Sequence, residues 1–267
     1  MMITAIAQRA KYYSSFIDHE LIKIYLAGSR SEEHDPMKHI EAGVEWICHA
    51  QDAFDGGGVA RSYALTYHPF FKRRGWFAPY PETTGYIIPT LFDYARLVNR
   101  QEFADRAVRM ADWECRVQLE SGAVQGGMID QPPSPAIFNT GQVIFGWVRA
   151  FQETGQPAYL ASAIKAGKFL VSQQDPDGAW RKSLSDFTMN SRMSSYTYNT
   201  RTAWGLMELA FVTGDEEFEE AAIRNIEFAL GQQLENGWFR SNCLNDPLQP
   251  LLHTIAYCIR GIMEIGA

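Results

Sequence analysis

The stretch VNRQEFADRAVRMADWECRVQLESG (98–122) decides the fold, because the chain repeats its pattern twice more. TGQPAYLASAIKAGKFLVSQQDPDG (154–178) and TGDEEFEEAAIRNIEFALGQQLENG (213–237) carry it in register. An aromatic recurs at Phe103, Tyr159 and Phe218, and an alanine follows four residues later at Ala107, Ala163 and Ala222. Trp113, Phe169 and Phe228 come next, then Gln118, Gln174 and Gln233, and finally Gly122, Gly178 and Gly237. A fourth, earlier copy offers Trp46 and Gln51 at the same mutual spacing before drifting at its glycines. Self-similarity at a fixed period is the mark of a repeat architecture.

Each unit reads as two helices. Phe103 to Gln118 places apolar residues at 103, 107, 110, 113 and 117, which is one face of a helix. The segment before it, TGYIIPTLFDYARLVN, is apolar around more of its circumference, as a helix covered on both sides must be. TGQVIFGWVRAFQETG and TRTAWGLMELAFVTG repeat that character. Asn99, Gly155 and Gly214 join the members of each pair and suit left-handed C-terminal caps. Helix pairs of this length exceed tetratricopeptide or ankyrin units and predict an all-α protein, an α/α toroid. Inner helices are expected near 84–98, 138–153, 199–213 and 252–266, and outer helices near 36–51, 102–118, 158–174 and 217–233. That gives about four pairs in a single domain over 1–267, with 1–35 as an N-terminal extension carrying a helix near 8–27.

Composition narrows the partners. A net charge of −7 speaks against nucleic acid or an anionic membrane surface, both of which call for basic patches. No apolar run approaches a membrane span, and MMITAIAQRAKYY lacks a signal-peptide pattern. Cys48, Cys115, Cys243 and Cys258 form no CxxC pair, which fits reduced thiols and a cytoplasmic location. No phosphate-binding loop, nucleophile elbow or HExxH occurs, so neither a cofactor nor a metal is expected.

In a toroid the long loops and the starts of the inner helices gather at one end of the axis. Four inner helices open with a polar residue followed by threonine: Glu82, Asn139, Asn199 and His253. Asparagine there is also an ordinary helix cap. An acid and a histidine are less readily explained by capping, and Glu82, His253 and Tyr198 are the candidate acid–base groups. Arg61, after the glycines of DGGGVARSYAL, and Arg201, in YTYNTRTAW, are candidate clamps for a ligand carboxylate. Asn139 and Asn199 serve as hydrogen-bonding partners. Trp76, Tyr80 and Trp238 are candidate sugar-stacking residues, with Arg240 beside Trp238, although aromatics after a turn glycine often simply plug a core.

QDPDGAW (174–180) has the Gln-x-x-x-Gly-x-Trp spacing of the repeat in squalene-type cyclases, but no DxDD acid motif accompanies it. The blocks AQDAFDGGGVARSYAL, GWFAPYPETTGYIIPTLFDYA, FNTGQVIFGW, YTYNTRTAWGLMEL and HTIAYCIRGIMEIG resemble a bacterial family of α/α-toroid proteins. Its members are encoded in polysaccharide-biosynthesis clusters and labelled by similarity to prenyltransferase or terpene-cyclase toroids. Similar toroids occur in glucuronyl C5-epimerases, N-acylglucosamine 2-epimerases, unsaturated-uronide hydrolases and several polysaccharide lyases. The resemblance implies a saccharide ligand in an axial cavity and an epimerase- or lyase-type enzyme acting on uronic acids. The alternatives are a non-catalytic glycan-binding or assembly subunit and a terpenoid-type cyclase. Relatives run through about two more helix pairs, so this chain is expected to form part of a six-pair ring. A second copy or a separate polypeptide is expected to cover its open edge.

Overall fold

The computed structural model describes residues 35–69, 71–183, 195–247 and 251–266. The helix expected near 8–27 lies outside the described residues. Within them the protein is all-α apart from one β-hairpin, and its fold is the α/α toroid. The chain divides into two compact units, 1–55 with 59–79 and 56–58 with 80–267.

The first unit holds α1 (Pro36–Asp52) and an antiparallel pair, β1 (Tyr63–His68) and β2 (Arg73–Trp76). Asp35 caps α1 by accepting the Met37 N–H at 3.0 Å, and Pro36 follows at the first helical position. The hairpin pairs Tyr63 with Trp76, Ala64 with Gly75 and His68 with Arg73, with an irregularity between Ala64 and His68. The Ala60 N–H reaches the Ala50 carbonyl at 3.0 Å and fastens this segment to the end of α1.

The second unit contains three helix hairpins and a last helix. α2 (Pro81–Val98) pairs with α3 (Gln101–Val117), and α4 (Ile137–Thr154) pairs with α5 (Pro157–Gln173). A 3-10 turn (Thr197–Asn199) leads into α6 (Thr200–Thr213), which pairs with α7 (Glu216–Leu230), and α8 (Leu252–Gly266) follows. The inner row runs α2–α4–α6–α8 and the outer row α3–α5–α7. Asn99, Gly155 and Gly214 end α2, α4 and α6 with φ of 53°, 68° and 69°, the left-handed caps that the turns require. Ile88, Leu91, Met110, Ile144, Trp147, Leu170, Leu206 and Phe218 fill the core between the rows.

Two devices repeat the stacking. A Cβ at Gly146 would lie 2.5 Å from the Gly85 carbonyl oxygen, and one at Gly205 would lie 2.5 Å from that of Gly141. Neighbouring inner helices therefore meet backbone to backbone, which only glycine permits there. In the outer row the repeat glutamines bind their own turn and the next outer helix together. Gln118 donates to the Gly122 and Ser162 carbonyls at 2.8 and 2.9 Å, and Gln174 donates to Gly178 and Ala221 at 3.1 and 2.8 Å. Gly57, Gly122 and Gly178 each press on a carbonyl of the next outer helix, at Arg109, Lys165 and Arg224. Gly57 stands six residues after Gln51 where the later copies keep four, which accounts for the drift in the first copy. Gly237 has nothing within 4 Å of the corresponding point.

Candidate active site

The start of α2 builds the centre of the site. Its N-cap is Tyr80, with Pro81 at the first helical position and Glu82 in the first turn. The Tyr80 phenol donates to Glu82 Oε2 at 2.6 Å and accepts from Asn139 Nδ2 at 2.9 Å. A directed chain, amide to phenol to carboxylate, thus joins two inner helices. Tyr80 is buried, Asn139 fully so, and Glu82 is half-buried.

Register matters here. Thr84 hydroxyl bonds the carbonyl four residues back at Tyr80, and Thr140 hydroxyl does the same at Ala136. α2 and α4 therefore begin at equivalent places 56 residues apart, not the 57 that separates Glu82 from Asn139. The true counterparts of Glu82 are Phe138 and Tyr198, and the asparagines match Thr83. The capping explanation also fails for Asn139, which is the third residue of α4, after its N-cap Ala136. Asn199 is the N-cap of α6 and is buried, but its side chain makes no capping bond. The repeated threonines do the fastening, and Glu82 stands where the next two units carry the aromatics Phe138 and Tyr198 and the last carries Leu252.

Ring contacts link the remaining candidates. Tyr198 meets Phe138 edge-on with centroids 5.3 Å apart, Phe138 lies 5.5 Å from Tyr257, and Tyr257 lies 5.7 Å from His253. Arg201 sits among the rings of Tyr257, Phe145 and Trp204, with its Cζ 4.8, 5.5 and 5.5 Å from their centroids. Its Nε donates to Gln142 Oε1 at 2.6 Å, and no carboxylate lies within ion-pair distance of it among the described residues.

Electrostatics tie these side chains to one place. Burial, then the charges of Glu82 and Tyr257, push the Tyr86 phenol up to about 12, against the pull of Arg201. Burial, Tyr196 and Glu82 raise Tyr198 further. Tyr257 is raised by burial, and Glu82 adds to this while Arg201 opposes it. Burial draws the Arg201 guanidinium below its ordinary value, with Tyr257 opposing and Arg260 assisting. All three tyrosines are consequently neutral proton donors at physiological pH. A cavity of about 360 Å³ runs along the inner helices, lined by Tyr86, Phe145, Arg201, Trp204, Glu208 and Arg260 among others, while Glu82, Asn139, Tyr198 and His253 stand outside its lining.

The structure thus brings together Glu82, Tyr80, Asn139, Tyr198 and Arg201, with His253 exposed and in ring contact with Tyr257. Trp238 and Arg240 do not line this cavity. Trp238 occupies the turn position of the buried Ala123 and Ala179, and Arg240 is exposed. Arg61 and Trp76 belong to the first unit. There Arg61 lies over the Phe71 ring at 5.2 Å, and Trp76 packs with Trp46 and Tyr63 at 5.0 Å from each. Sequence reading missed Tyr86, Tyr257, Trp204 and Arg260. Tyr86 and Tyr257 stand one helical turn after Glu82 and His253, a spacing that could have revealed them. Among the described residues no group of His, Cys, Asp and Glu could hold a metal, and no helix is long and apolar enough to cross a membrane.

Comparison with known proteins gives the fold a family. Among solved structures, a possible member of the GH105 family from Salmonella enterica serovar Paratyphi A superposes with a TM-score of 0.65 at 14% identity, over 97% of this chain and 80% of that one. An unsaturated glucuronyl hydrolase from Bacillus sp. GL1 gives 0.62 at 15% identity, over 82% of this chain and 65% of that one. At such identities the likeness is one of fold. The sequence matches no curated protein significantly. Residues 11–263 match the model of the squalene-hopene cyclase C-terminal domain, and the chain belongs to that family.

Proposed function

We propose that the protein is a carbohydrate-active enzyme of polysaccharide biosynthesis that acts on uronic-acid residues by epimerase- or lyase-type proton transfer. The observation that carries this reading is a cluster in which the Glu82 carboxylate acts on the neutral phenols of Tyr86, Tyr198 and Tyr257 and on Arg201, with Tyr86 and Arg201 lining a cavity beside it. In both reactions a base removes the proton α to a carboxylate, and a cation stabilises the charge that develops on that carboxylate. Glu82 is the base, held by the Tyr80 phenol, and Arg201 is the cation. Tyr198 supplies a proton, either to the ring carbon, giving the epimer, or to the departing oxygen, giving elimination. His253, beside Tyr257, is the other candidate acid–base group, and Asn139 and Asn199 orient the site. Toroid neighbours include unsaturated glucuronyl hydrolases, which fits a uronate ligand. Incubation with uronate polymers in deuterated water tests the reading: NMR should detect deuterium at C5 or an unsaturated product. A panel of uronates giving neither would reject it.

Family membership raises a cyclase as a rival, and Arg201 argues against it. A carbocation cyclase uses aromatic faces to stabilise its cationic intermediate. Here the faces of Phe145, Trp204 and Tyr257 already surround a guanidinium, whose charge would repel such an intermediate. The missing DxDD points the same way.

A glycan-binding role is favoured by one feature of the first unit. Trp46, 52% exposed, forms an aromatic trio with Tyr63 and Trp76 that suits stacking on a sugar ring. We also propose that a second copy or a separate polypeptide completes the outer row at Gly237. Among the described residues the exposed Gln233 side chain makes only a 3.4 Å bond to its own turn, and α8 exposes Leu252, Ile259 and Met263. Analytical ultracentrifugation should find an assembly larger than 30.2 kDa, and a stable monomer would reject the second-copy form of this idea.

A further inference from the structure

The axial cavity carries a second cation, Arg260, which plays no part in the proton transfer just described. Its guanidinium lies 4.8 Å from the Trp204 ring, the ring that also borders Arg201 at 5.5 Å. Two like charges therefore share one indole, and the pull that Arg260 exerts on the Arg201 guanidinium is that of repulsion. Of the cavity's three arginines, Arg149 pairs with two carboxylates, Asp93 and Glu153, whereas Arg260 pairs among the described residues with one, Glu264 of its own helix, at 3.1 Å. Arg201 has no carboxylate within ion-pair distance among the described residues, and Glu82 acts on it from farther off. Glu208, the cavity's carboxylate, accepts from Trp204 Nε1 at 2.8 Å. Holding a desolvated guanidinium beside another cation is unfavourable unless an anion joins them.

We infer that Arg201 and Arg260, seated on Trp204, form a subsite for the carboxylate of an acidic saccharide unit, and that Arg260 sets the preference for acidic over neutral sugars. A planar fork suits a carboxylate, which two guanidinium groups can share between its oxygens. The indole face and the Tyr86 side chain offer an apolar wall to a sugar ring, and about 360 Å³ lies at the small end of ligand pockets. The sugar part of the proposal rests on the function proposed above. The paired cations do not.

Calorimetric titration with sodium glucuronate, glucuronamide, glucose and sodium sulfate tests it on the full chain. Glucuronate should bind at least about tenfold more tightly than glucuronamide or glucose, a difference expected for one charge-assisted contact. Arg260→Gln, on an exposed side chain, should remove about tenfold of glucuronate affinity and leave glucuronamide unchanged. Arg201→Lys, which keeps the charge inside the cage but loses the fork, should weaken glucuronate in the same selective way. Equal binding of glucuronate and glucuronamide, or an Arg260→Gln protein with wild-type preference, overturns the subsite and leaves the saccharide reading standing. Sulfate binding with no saccharide bound overturns both the saccharide reading and the acid-sugar subsite.

Discussion

Glu82→Gln should lower turnover on a uronate substrate by about 10²- to 10⁴-fold, the usual contribution of a positioned general base. The substitution is nearly isosteric. Its amide oxygen can still accept the Tyr80 phenol, which bonds Glu82 at 2.6 Å, so the Asn139–Tyr80 chain stays in place. What disappears is the capacity to take a proton. KM should change less than turnover, because Arg201 keeps its charge and its bond to Gln142 in the variant. Exchange of C5–H for deuterium should fall in parallel with turnover, since both need the same proton abstraction. The charge lost with Glu82 also raises Tyr86, Tyr198 and Tyr257. In Glu82→Gln, therefore, all three phenols should titrate at lower pH than in the parent, by ultraviolet difference spectroscopy. A variant with unchanged turnover on an identified uronate would remove Glu82 from the mechanism. Unmoved tyrosine titrations would remove it from the cluster. His253→Ala supplies the comparison: the ring is exposed and meets Tyr257 only edge-on, so a smaller loss is expected there than at Glu82.

The helices were legible in the sequence because repetition constrains each copy by the others. Asn99, Gly155 and Gly214 each end an inner helix, and each adopts the backbone conformation that its place in the repeat demands. Gln118 and Gln174 recur because each ties a turn to the next outer helix, a bond that any further unit must remake. Single features were harder. The strands at 63–76 lack a two-residue turn signal, and their segment reads as loop. A one-residue slip in spacing placed Glu82 with the asparagines instead of with Phe138 and Tyr198, a distinction that only the helix starts reveal. Trp204, Tyr257 and Arg260 were missed for a physical reason. Inner helices are apolar on most sides, so no amphipathic pattern says which face looks into the cavity. Arg201 was legible because a charge in such a helix has few places to go.

Glu114 shows what the same repetition predicts for stability. It lies in α3 at the position held by Leu170 in α5 and Ala229 in α7, all three fully buried. Neither of its carboxyl oxygens has a hydrogen-bond partner among the described residues. Burial pushes the carboxyl well above its usual range, with no charged neighbour to oppose it. Glu114→Leu should therefore stabilise the protein at neutral pH by about 1–3 kcal/mol, the cost of a buried polar group without a partner. The sign of the pH dependence follows from the raised value. The folded protein keeps a proton on Glu114 that the unfolded chain releases above about pH 4.3. Stability is thus full below that pH and declines as pH rises towards the folded-state value. Glu114→Leu lacks this decline, so its advantage should grow from pH 4 to pH 8 in urea unfolding. Glu114→Gln should remove the pH-dependent part while keeping an unpartnered polar group, and it separates ionisation from burial. A Leu variant no more stable than the parent at pH 8 would mean that the carboxyl has partners in solution. A parent and Gln variant with parallel pH profiles would mean that Glu114 does not hold its proton.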